Sequence, residues 1–461
     1  MRLTVIGCGY LGAVHAAAMA DLGHHVLGVE TDPARLALLA RGQAPFYEPG
    51  LDELLRRGAR TGRLRYTAEL DGAAARADVH FLAVGTPQSP SGRGADLSHL
   101  WRAVGSLAAV LPRCVHPDGM PLVVGKSTVP VGTAQQVADR LAGRALVVWN
   151  PEFLREGMAV ADTLRPDRIV YGLPAEPARA ERARAVLDEV YAPILEAGAP
   201  RLTMGYQTAE LVKTAANAFL ATKISFINAM SALCAATGAD VTVLADAIGR
   251  DARIGPHFLR AGLGFGGGCL PKDLRGLEQR AAELGANGLA SFLGRVDSIN
   301  RGQRDRVTQM ALDALGPNAA GRAVTILGIT FKPDSDDLRD SPVLEVALRL
   351  ADAGAVVTVH DPRGLAGLRR LRPVLRAQPD ALRALEGAEL VILGTEWKEL
   401  TDLDPEAAAA RVARPVLIDA RNALTPSRWT AAGWDYRGIG RPSGPRRSAP
   451  WHRALAGTMV G

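Results

Sequence analysis

A strand–turn–helix signature at the start of the chain constrains its fold more than any other feature. Leu3 to Ile6 is a short apolar run with the composition of a buried strand. Gly7-Cys8-Gly9-Tyr10-Leu11-Gly12 follows it directly and opens a helical pattern. In such a motif the first glycine permits a tight turn, the second lets the backbone approach a pyrophosphate, and the third lets helix and strand pack closely. The helix N-terminus then presents free N–H groups and a partial positive charge to the phosphates. Alone, the motif is also compatible with a plain turn. Glu30 adds weight: it closes the second apolar run, 18 residues after Gly12. A carboxylate there accepts hydrogen bonds from the ribose hydroxyls and repels a 2′-phosphate, so NAD is expected rather than NADP. Arg35 works against that preference, and the bland alternative for Glu30 is a solvated strand end.

The same rhythm continues. Apolar runs at Val26 to Glu30, Val79 to Val84, Leu122 to Gly125, Leu146 to Trp149 and Arg168 to Tyr171 are separated by helical stretches or loops. Strands spaced by helices imply βαβ units and a parallel sheet. Ala-rich amphipathic stretches follow, Gln207 to Thr237 and Asp240 to Ile248, broken by a glycine-rich loop at Gly262 to Gly268. Strand patterns return at Ala323 to Ile329, Val356 to His360, Glu389 to Gly394 and Val416 to Asp419. The expected fold class is α/β. It comprises an N-terminal Rossmann-type dinucleotide-binding domain (1–200), a central all-helical region (201–305), a C-terminal Rossmann-like α/β domain (306–437) and a flexible tail rich in Pro, Gly, Ser and Arg (438–461). With 461 residues, two or three domains are expected.

Two loops leave the C-terminal ends of strands, where ligands of open α/β sheets bind. They are Gly85-Thr86-Pro87 and Lys126-Ser127-Thr128-Val129-Pro130, whose hydroxyls are candidate contacts for a cofactor or a reacting water. The most informative stretch is Gly264-Phe265-Gly266-Gly267-Gly268-Cys269-Leu270-Pro271-Lys272-Asp273. Consecutive glycines permit backbone geometries closed to other residues. A cysteine beside charged groups and oriented N–H donors favours the reactive thiolate. Cys8, Cys114 and Cys234 lack such surroundings and read as ordinary buried cysteines. With no CxxC and no His cluster, neither a disulfide framework nor a metal site is expected.

These landmarks, with others between them, resemble the UDP-glucose/GDP-mannose dehydrogenase family from Met1 to about Asn422. They include GCGYLG at 7–12, YEPGLDELL at 47–55, VGTP at 84–87, KSTVP at 126–130, NPEFLREG at 150–157 and PDRIVYG at 166–172. AELVKTAANAFLATKISFIN at 209–228, GRDARIG at 249–255, GFGGGCLPKD at 264–273, FKPDSDDLRDSP at 331–342 and DARN at 419–422 complete the series. NPEFLREG followed by PDRIVYG resembles the branch acting on UDP-glucose; another nucleotide sugar, GDP-mannose or a UDP-N-acetyl sugar, is the alternative. Gly268 stands where many members have Ser.

The resemblance implies a four-electron oxidation of an alcohol to an acid with two NAD. Cys269 is then the nucleophile, forming a thiohemiacetal and a thioester. It implies Lys213 and Asn217, four apart on one helix face, as the oxyanion-stabilising pair. Thr128 and Asp273 would hold the catalytic water, Glu152 would be the general acid/base, and Glu156 its partner near the nicotinamide. Asp273 also reads as a helix cap, and Glu152 with Glu156 as a surface pair. The implied cofactor set is Gly7, Gly9, Tyr10, Leu11, Gly12, Glu30, Arg35, Gly85, Thr86, Pro87, Ser127, Thr128, Glu156, Lys272 and Arg339. Sugar-nucleotide contacts are implied at Glu152, Phe153, Leu154, Arg155, Glu156, Lys213, Asn217 and Arg260. The loop Gly262, Gly264, Phe265 and Gly266, with Phe331, Lys332 and Arg421, adds further contacts. Arg253 resembles an arginine that reaches a neighbouring subunit's site, so a homodimer or larger homo-oligomer is implied, with the helical middle as its core.

Two rival readings share parts of this pattern. A two-electron β-hydroxyacid dehydrogenase would need neither Cys269 nor a third domain, and a non-catalytic NAD-binding scaffold would need neither Lys213 nor Asp273. Net charge is +6 and is spread along the chain, with the strongest basic cluster at Arg441 to Arg447, so no nucleic-acid partner is expected. Gly7, Gly9, Gly12 and His15 interrupt the N-terminal apolar run, which argues against a signal peptide. No stretch approaches 18 consecutive apolar residues, so neither a membrane span nor a membrane partner is expected, and a cytoplasmic location follows.

Overall fold

The computed structural model describes residues 1–70, 76–90, 94–112, 119–372 and 374–442. Cys114 and the chain from residue 443 on, with most of the Arg441 to Arg447 cluster, lie outside the described residues. The chain forms two compact units, Met1–Asn217 with Lys272–Ala290, and Ala218–Pro271 with Ser291–Gly461. Five helices bear on function: α1 (Tyr10–Asp21), α2 (Tyr206–Thr237), α3 (Val241–Gly249), α4 (Leu270–Glu283) and α5 (Asn287–Leu315).

The first unit is built on an eight-stranded sheet. Its strands are β1 (Arg2–Ile6), β2 (His25–Val29), β3 (Leu64–Thr67), β4 (Val79–Leu82), β5 (Leu122–Gly125), β6 (Leu146–Trp149), β7 (Ile169–Leu173) and β8 (Arg201–Gly205). They lie in the order β3-β2-β1-β4-β5-β6-β7-β8. Alternate residues of the central strands enter two cores: Leu3, Val5, Leu122, Val124, Leu146 and Val148 on one side, Ile6, Leu82, Val123, Val147 and Trp149 on the other. Burial on both faces is why these strands read as continuous apolar runs.

Neighbouring strands pair parallel except β6 and β7, which meet antiparallel at Trp149 and Gly172. This corrects the expectation of a wholly parallel sheet. The connection between them, residues 150–168, carries one helix, Ala159–Leu164, of 6 residues. β8 carries the sheet to Gly205, past residue 200, and α2 starts at the next residue.

In the second unit, β9 (Ala323–Leu327), β10 (Val356–His360), β11 (Arg376–Ala377), β12 (Leu390–Leu393), β13 (Val416–Asp419) and β14 (Asp435–Gly438) form a parallel sheet. Their order is β11-β10-β9-β12-β13-β14. Order persists beyond the expected start of the tail at residue 438. Ile439 is fully buried, Asn422 bonds both its N–H and its carbonyl, and the Gly440 carbonyl accepts from Val241 N at 3.0 Å.

α2 also departs from expectation: by length and composition alone it is apolar enough to cross a membrane. One of its faces is buried through small and polar residues such as Ala218, Ala221, Ser225 and Ser231, whereas Phe219, Phe226 and Leu233, spaced by seven, are exposed. The polar residues are too small and too scattered to break the apolar average.

Candidate active site

The turn after β1 is fixed by its glycines. Gly7 has φ +87°, in the left-handed region, and its N–H donates to Val29 O at 2.9 Å. A Cβ on Gly12 would stand 1.8 Å from the Gly7 carbonyl oxygen, so no other residue fits under this turn. Gly9 is the N-cap of α1 and supplies no side-chain acceptor, which leaves the first N–H groups of the helix facing outward. These features fit a dinucleotide pyrophosphate.

Glu30 is buried just past β2. Its Oε1 accepts from Asp32 N at 2.8 Å and its Oε2 from Arg35 Nη1 at 3.4 Å. It is therefore no solvated strand end, and Arg35 is engaged by the acid that it was expected to counteract. Glu30→Ala is expected to weaken NAD binding by roughly ten- to a hundredfold, the range for losing charge-assisted hydrogen bonds. It should also relax discrimination against NADP, because Arg35 loses one of its two carboxylate partners and keeps only Asp32 at 3.5 Å; the dissociation constants of both dinucleotides check this, and an unchanged ratio refutes it.

The strand-end loops are tied to each other. Thr86 Oγ1 donates to Thr128 O at 2.7 Å, and Ser127 Oγ donates to Val84 O at 2.7 Å. These hydroxyls thus hold backbone, a role the sequence did not indicate. Thr86, Pro87, Thr128, Lys272 and Asp273 line one cleft of the first unit.

Two polar pairs stand on α2 in this unit. The Lys213 ammonium is 3.0 Å from Glu152 Oε1, and both side chains are nearly buried, 5% and 10% exposed. Glu152 Oε2 accepts from Leu154 N at 2.8 Å. One turn further on, Asn217 Nδ2 donates to Asp273 Oδ2 at 2.7 Å, and Lys272 pairs with the same carboxylate. Asp273 is not a helix cap, since α4 begins at Leu270 and holds it inside the first turn. Glu152 and Glu156 are not a surface pair either: Glu156 is buried. Phe153 packs under the Arg168 guanidinium at 4.1 Å, while Arg155 points outward and pairs with Asp162 at 2.7 Å.

Three groups that the sequence reading passed over hold the 150–157 loop. Glu48, within the 47–55 motif, accepts from Gly157 N at 2.7 Å and Ala159 N at 2.8 Å, and takes the Tyr10 hydroxyl as donor. Tyr10 also accepts from Gly157 N at 3.0 Å, so it ties α1 to that loop. Lys126 and Asn150 are bonded to each other at 2.9 Å inside the unit.

In the second unit Cys269 is half-buried, directly before α4. Cys8 and Cys234 are buried and unpaired, and burial drives the Cys8 thiol far above its ordinary range. The glycines before Cys269 are packed tightly. Gly267 has φ +85°, and a Cβ there would meet the Phe331 ring at 2.7 Å. A Cβ on Gly268 would meet the Arg339 guanidinium at 2.4 Å, a contact that this flexible, 62% exposed side chain can relieve by moving.

Asn300 braces the loop from below, accepting from Phe265 N at 2.8 Å and donating to Phe265 O at 3.0 Å; Gly262 N donates to Asn228 Oδ1 at 2.9 Å. Arg421 is pinned by three carbonyls, Gly394 at 2.6 Å, Gly264 at 3.0 Å and Phe331 at 3.1 Å. It therefore links the Gly264–Gly266 stretch to Phe331. Lys332 lies over the Phe331 ring at 5.5 Å. Arg260 is exposed, and Arg253, 89% exposed, is paired with Asp251.

A sheet carrying a glycine turn of the dinucleotide-binding type and a buried acid just past its second strand, in a chain that also carries a half-buried cysteine on a braced glycine loop, defines a dinucleotide-dependent dehydrogenase. The chain belongs to the UDP-glucose/GDP-mannose dehydrogenase family and is an NAD-dependent nucleotide-sugar dehydrogenase. Residues 1–195 match the family's NAD binding domain, 207–302 its central domain and 325–426 its UDP binding domain. A UDP-glucose 6-dehydrogenase of Rhizobium meliloti is 40% identical over 447 residues, 96% of this chain and 100% of that protein. One of Pseudomonas aeruginosa is 41% identical over 457 residues, covering 96% and 98%. The solved UDP-glucose dehydrogenase of Pyrobaculum islandicum superposes with a TM-score of 0.85 at 37% identity, covering 95% of this chain and 98% of that one.

Proposed function

We propose that the protein oxidises UDP-glucose at C6 to UDP-glucuronate, using two NAD and a covalent intermediate on Cys269. The observation that carries this is similarity along essentially the whole chain to enzymes named UDP-glucose 6-dehydrogenase. The cofactor, when bound, accepts a hydride at each of the two oxidations.

Gly7, Gly9 and Gly12 hold its pyrophosphate and Glu30 its ribose. Glu152 takes the proton of the C6 hydroxyl in the first oxidation. The Cys269 sulfur adds to the resulting aldehyde carbon, and the carbonyl oxygen becomes the hydroxyl of a thiohemiacetal. Lys213 and Asn217 stabilise the oxyanion formed at that oxygen. The second oxidation removes the carbon-bound hydrogen as hydride and the hydroxyl proton, which leaves a thioester. Water held by Thr128 and Asp273 attacks the thioester carbon; the C–S bond breaks, the acid is released, and the thiol is restored. A trapped intermediate keeps the aldehyde from escaping before it is oxidised. The Lys213–Glu152 and Asn217–Asp273 pairs support these assignments. The second unit supplies Phe331, Lys332 and Arg421 for the UDP-sugar, with Arg260 as a cation for its diphosphate.

The exposed apolar side chains of α2, Phe219, Phe226 and Leu233, support a homodimer built on that helix. Reduced thiols and use of NAD support a cytoplasmic location.

NADH formed per UDP-glucose consumed, with limiting sugar and excess NAD, tests the reading. Two NADH per sugar with UDP-glucuronate as product is the expected result. One NADH per sugar would refute the four-electron reaction, and turnover of GDP-mannose or a UDP-N-acetyl sugar alone would move the substrate.

A further inference from the structure

The cavity behind the Glu152 loop contains a second buried ammonium. Lys126, just past β5, donates to Asn150 Oδ1 at 2.9 Å and to the Tyr191 hydroxyl at 3.3 Å. The Tyr191 hydroxyl donates to the same Oδ1 at 2.7 Å, and Asn150 Nδ2 donates to Val170 O at 2.8 Å. Asn150 is therefore fixed through both its carbonyl and its amide, with Lys126 on the carbonyl side. It opens the loop on which Glu152 stands two residues later. Lys126 and Glu152 line one cavity of about 70 Å³ in the first unit.

Other titratable groups line the same cavity. His15, on α1, is buried, with neither ring nitrogen hydrogen-bonded among the described residues; burial first, and Lys126 second, keep it neutral. Burial also holds the Tyr191 phenol neutral. Arg168 lies over the Phe153 ring, Arg155 and Asp162 pair with each other, and Asp167 is exposed. The cations that act on the Glu152 carboxylate include Lys213, in direct contact, and Lys126. Burial draws the Lys126 ammonium down to about 8, opposed by the Glu152 carboxylate, so it carries its charge at neutral pH. Burying an ammonium is costly, and glutamine or methionine would fill a purely structural slot at less cost.

We infer that Lys126 is a positioning residue for the reaction: through Asn150 it fixes the loop that carries Glu152, and it places a positive charge in the cavity that Glu152 also lines. The inference rests on Glu152 acting as the general acid/base.

The test is the pH profile of kcat for Lys126→Met, Lys126→Gln and Lys126→Arg, with UDP-glucose and NAD. Lys126→Gln keeps a donor for Asn150 and so covers the case in which Lys126→Met fails to fold. Removing a nearby cation favours the protonated carboxyl, so the acid limb of Lys126→Gln should move to higher pH, by roughly 0.5–1 unit. KM for NAD should stay within about twofold. Lys126→Arg should keep the wild-type limb. A Lys126→Gln profile with an unmoved acid limb, whether kcat is scaled down or unchanged, overturns the inference. Glu152→Gln, measured alongside, separates the two levels. Loss of kcat there, with an unmoved limb in Lys126→Gln, refutes the role of Lys126 alone; wild-type kcat in Glu152→Gln refutes the acid/base reading itself.

Discussion

Cys269→Ser is expected to abolish net formation of the acid, with a loss of at least about 10⁴-fold, the scale of removing a catalytic nucleophile. The alcohol at that position is a poor nucleophile without a dedicated base, whereas a thiolate needs none. Cys269 has what a thiolate needs. It is half-buried rather than sealed off, and it directly precedes α4, whose N-terminal N–H groups favour an anion. The loop beneath it is held by Asn300 and packed against Phe331, so the sulfur sits on a rigid support. Cys8 shows the contrast: buried and driven far up, it stays a neutral thiol. The measurement is UDP-glucuronate formed, by chromatography, together with NADH formed. Wild-type acid production by Cys269→Ser would end the covalent mechanism.

The sequence was most readable where strands are buried on both faces. The strands it failed to signal, β3, β8, β11 and β14, are the four edge strands of the two sheets. An edge strand buries less and stays polar: Arg201 to Thr203 are exposed in β8, and Asp435 is exposed in β14. Composition therefore carries little signal there. The antiparallel step from β6 to β7 was hidden for another reason. Residues 150–168 are long enough for either direction of return, and their composition does not mark the antiparallel one.

At the site, motif glycines, Glu30 and Cys269 could be singled out from local chemistry alone, because turn geometry and thiolate chemistry demand those residue types. Lys213, Glu152, Asn217 and Asp273 could not. Their pairing joins positions 61 and 56 residues apart, and only the family resemblance pointed to them. Glu48, Lys126 and Asn150 lie inside the 47–55, 126–130 and 150–157 motifs, yet their work is to hold the 150–157 loop, which nothing in a linear sequence displays. The exposed heptad face of α2 was likewise masked by alanines that made the helix look evenly packed.

Lys213→Ala is expected to lower both stability and activity, and the two losses should separate on a second substitution. Lys213 and Glu152 are a nearly buried pair, 3.0 Å apart. Removing Lys213 leaves a nearly buried carboxylate without its direct ion partner, still accepting from Leu154 N. That situation typically costs about 3–5 kcal/mol, whereas replacing both partners by neutral groups of similar size costs much less. Lys213→Met combined with Glu152→Gln should therefore recover most of the unfolding free energy, read from urea denaturation. Activity should not recover. Loss of one oxyanion donor costs about 10²–10³-fold in kcat, and the double variant also lacks the acid/base. A purely structural pair would behave differently: the double variant would regain kcat together with stability. Equal recovery of both would remove Lys213 and Glu152 from the chemistry and leave Asn217 and Asp273 as the polar groups on which catalysis depends.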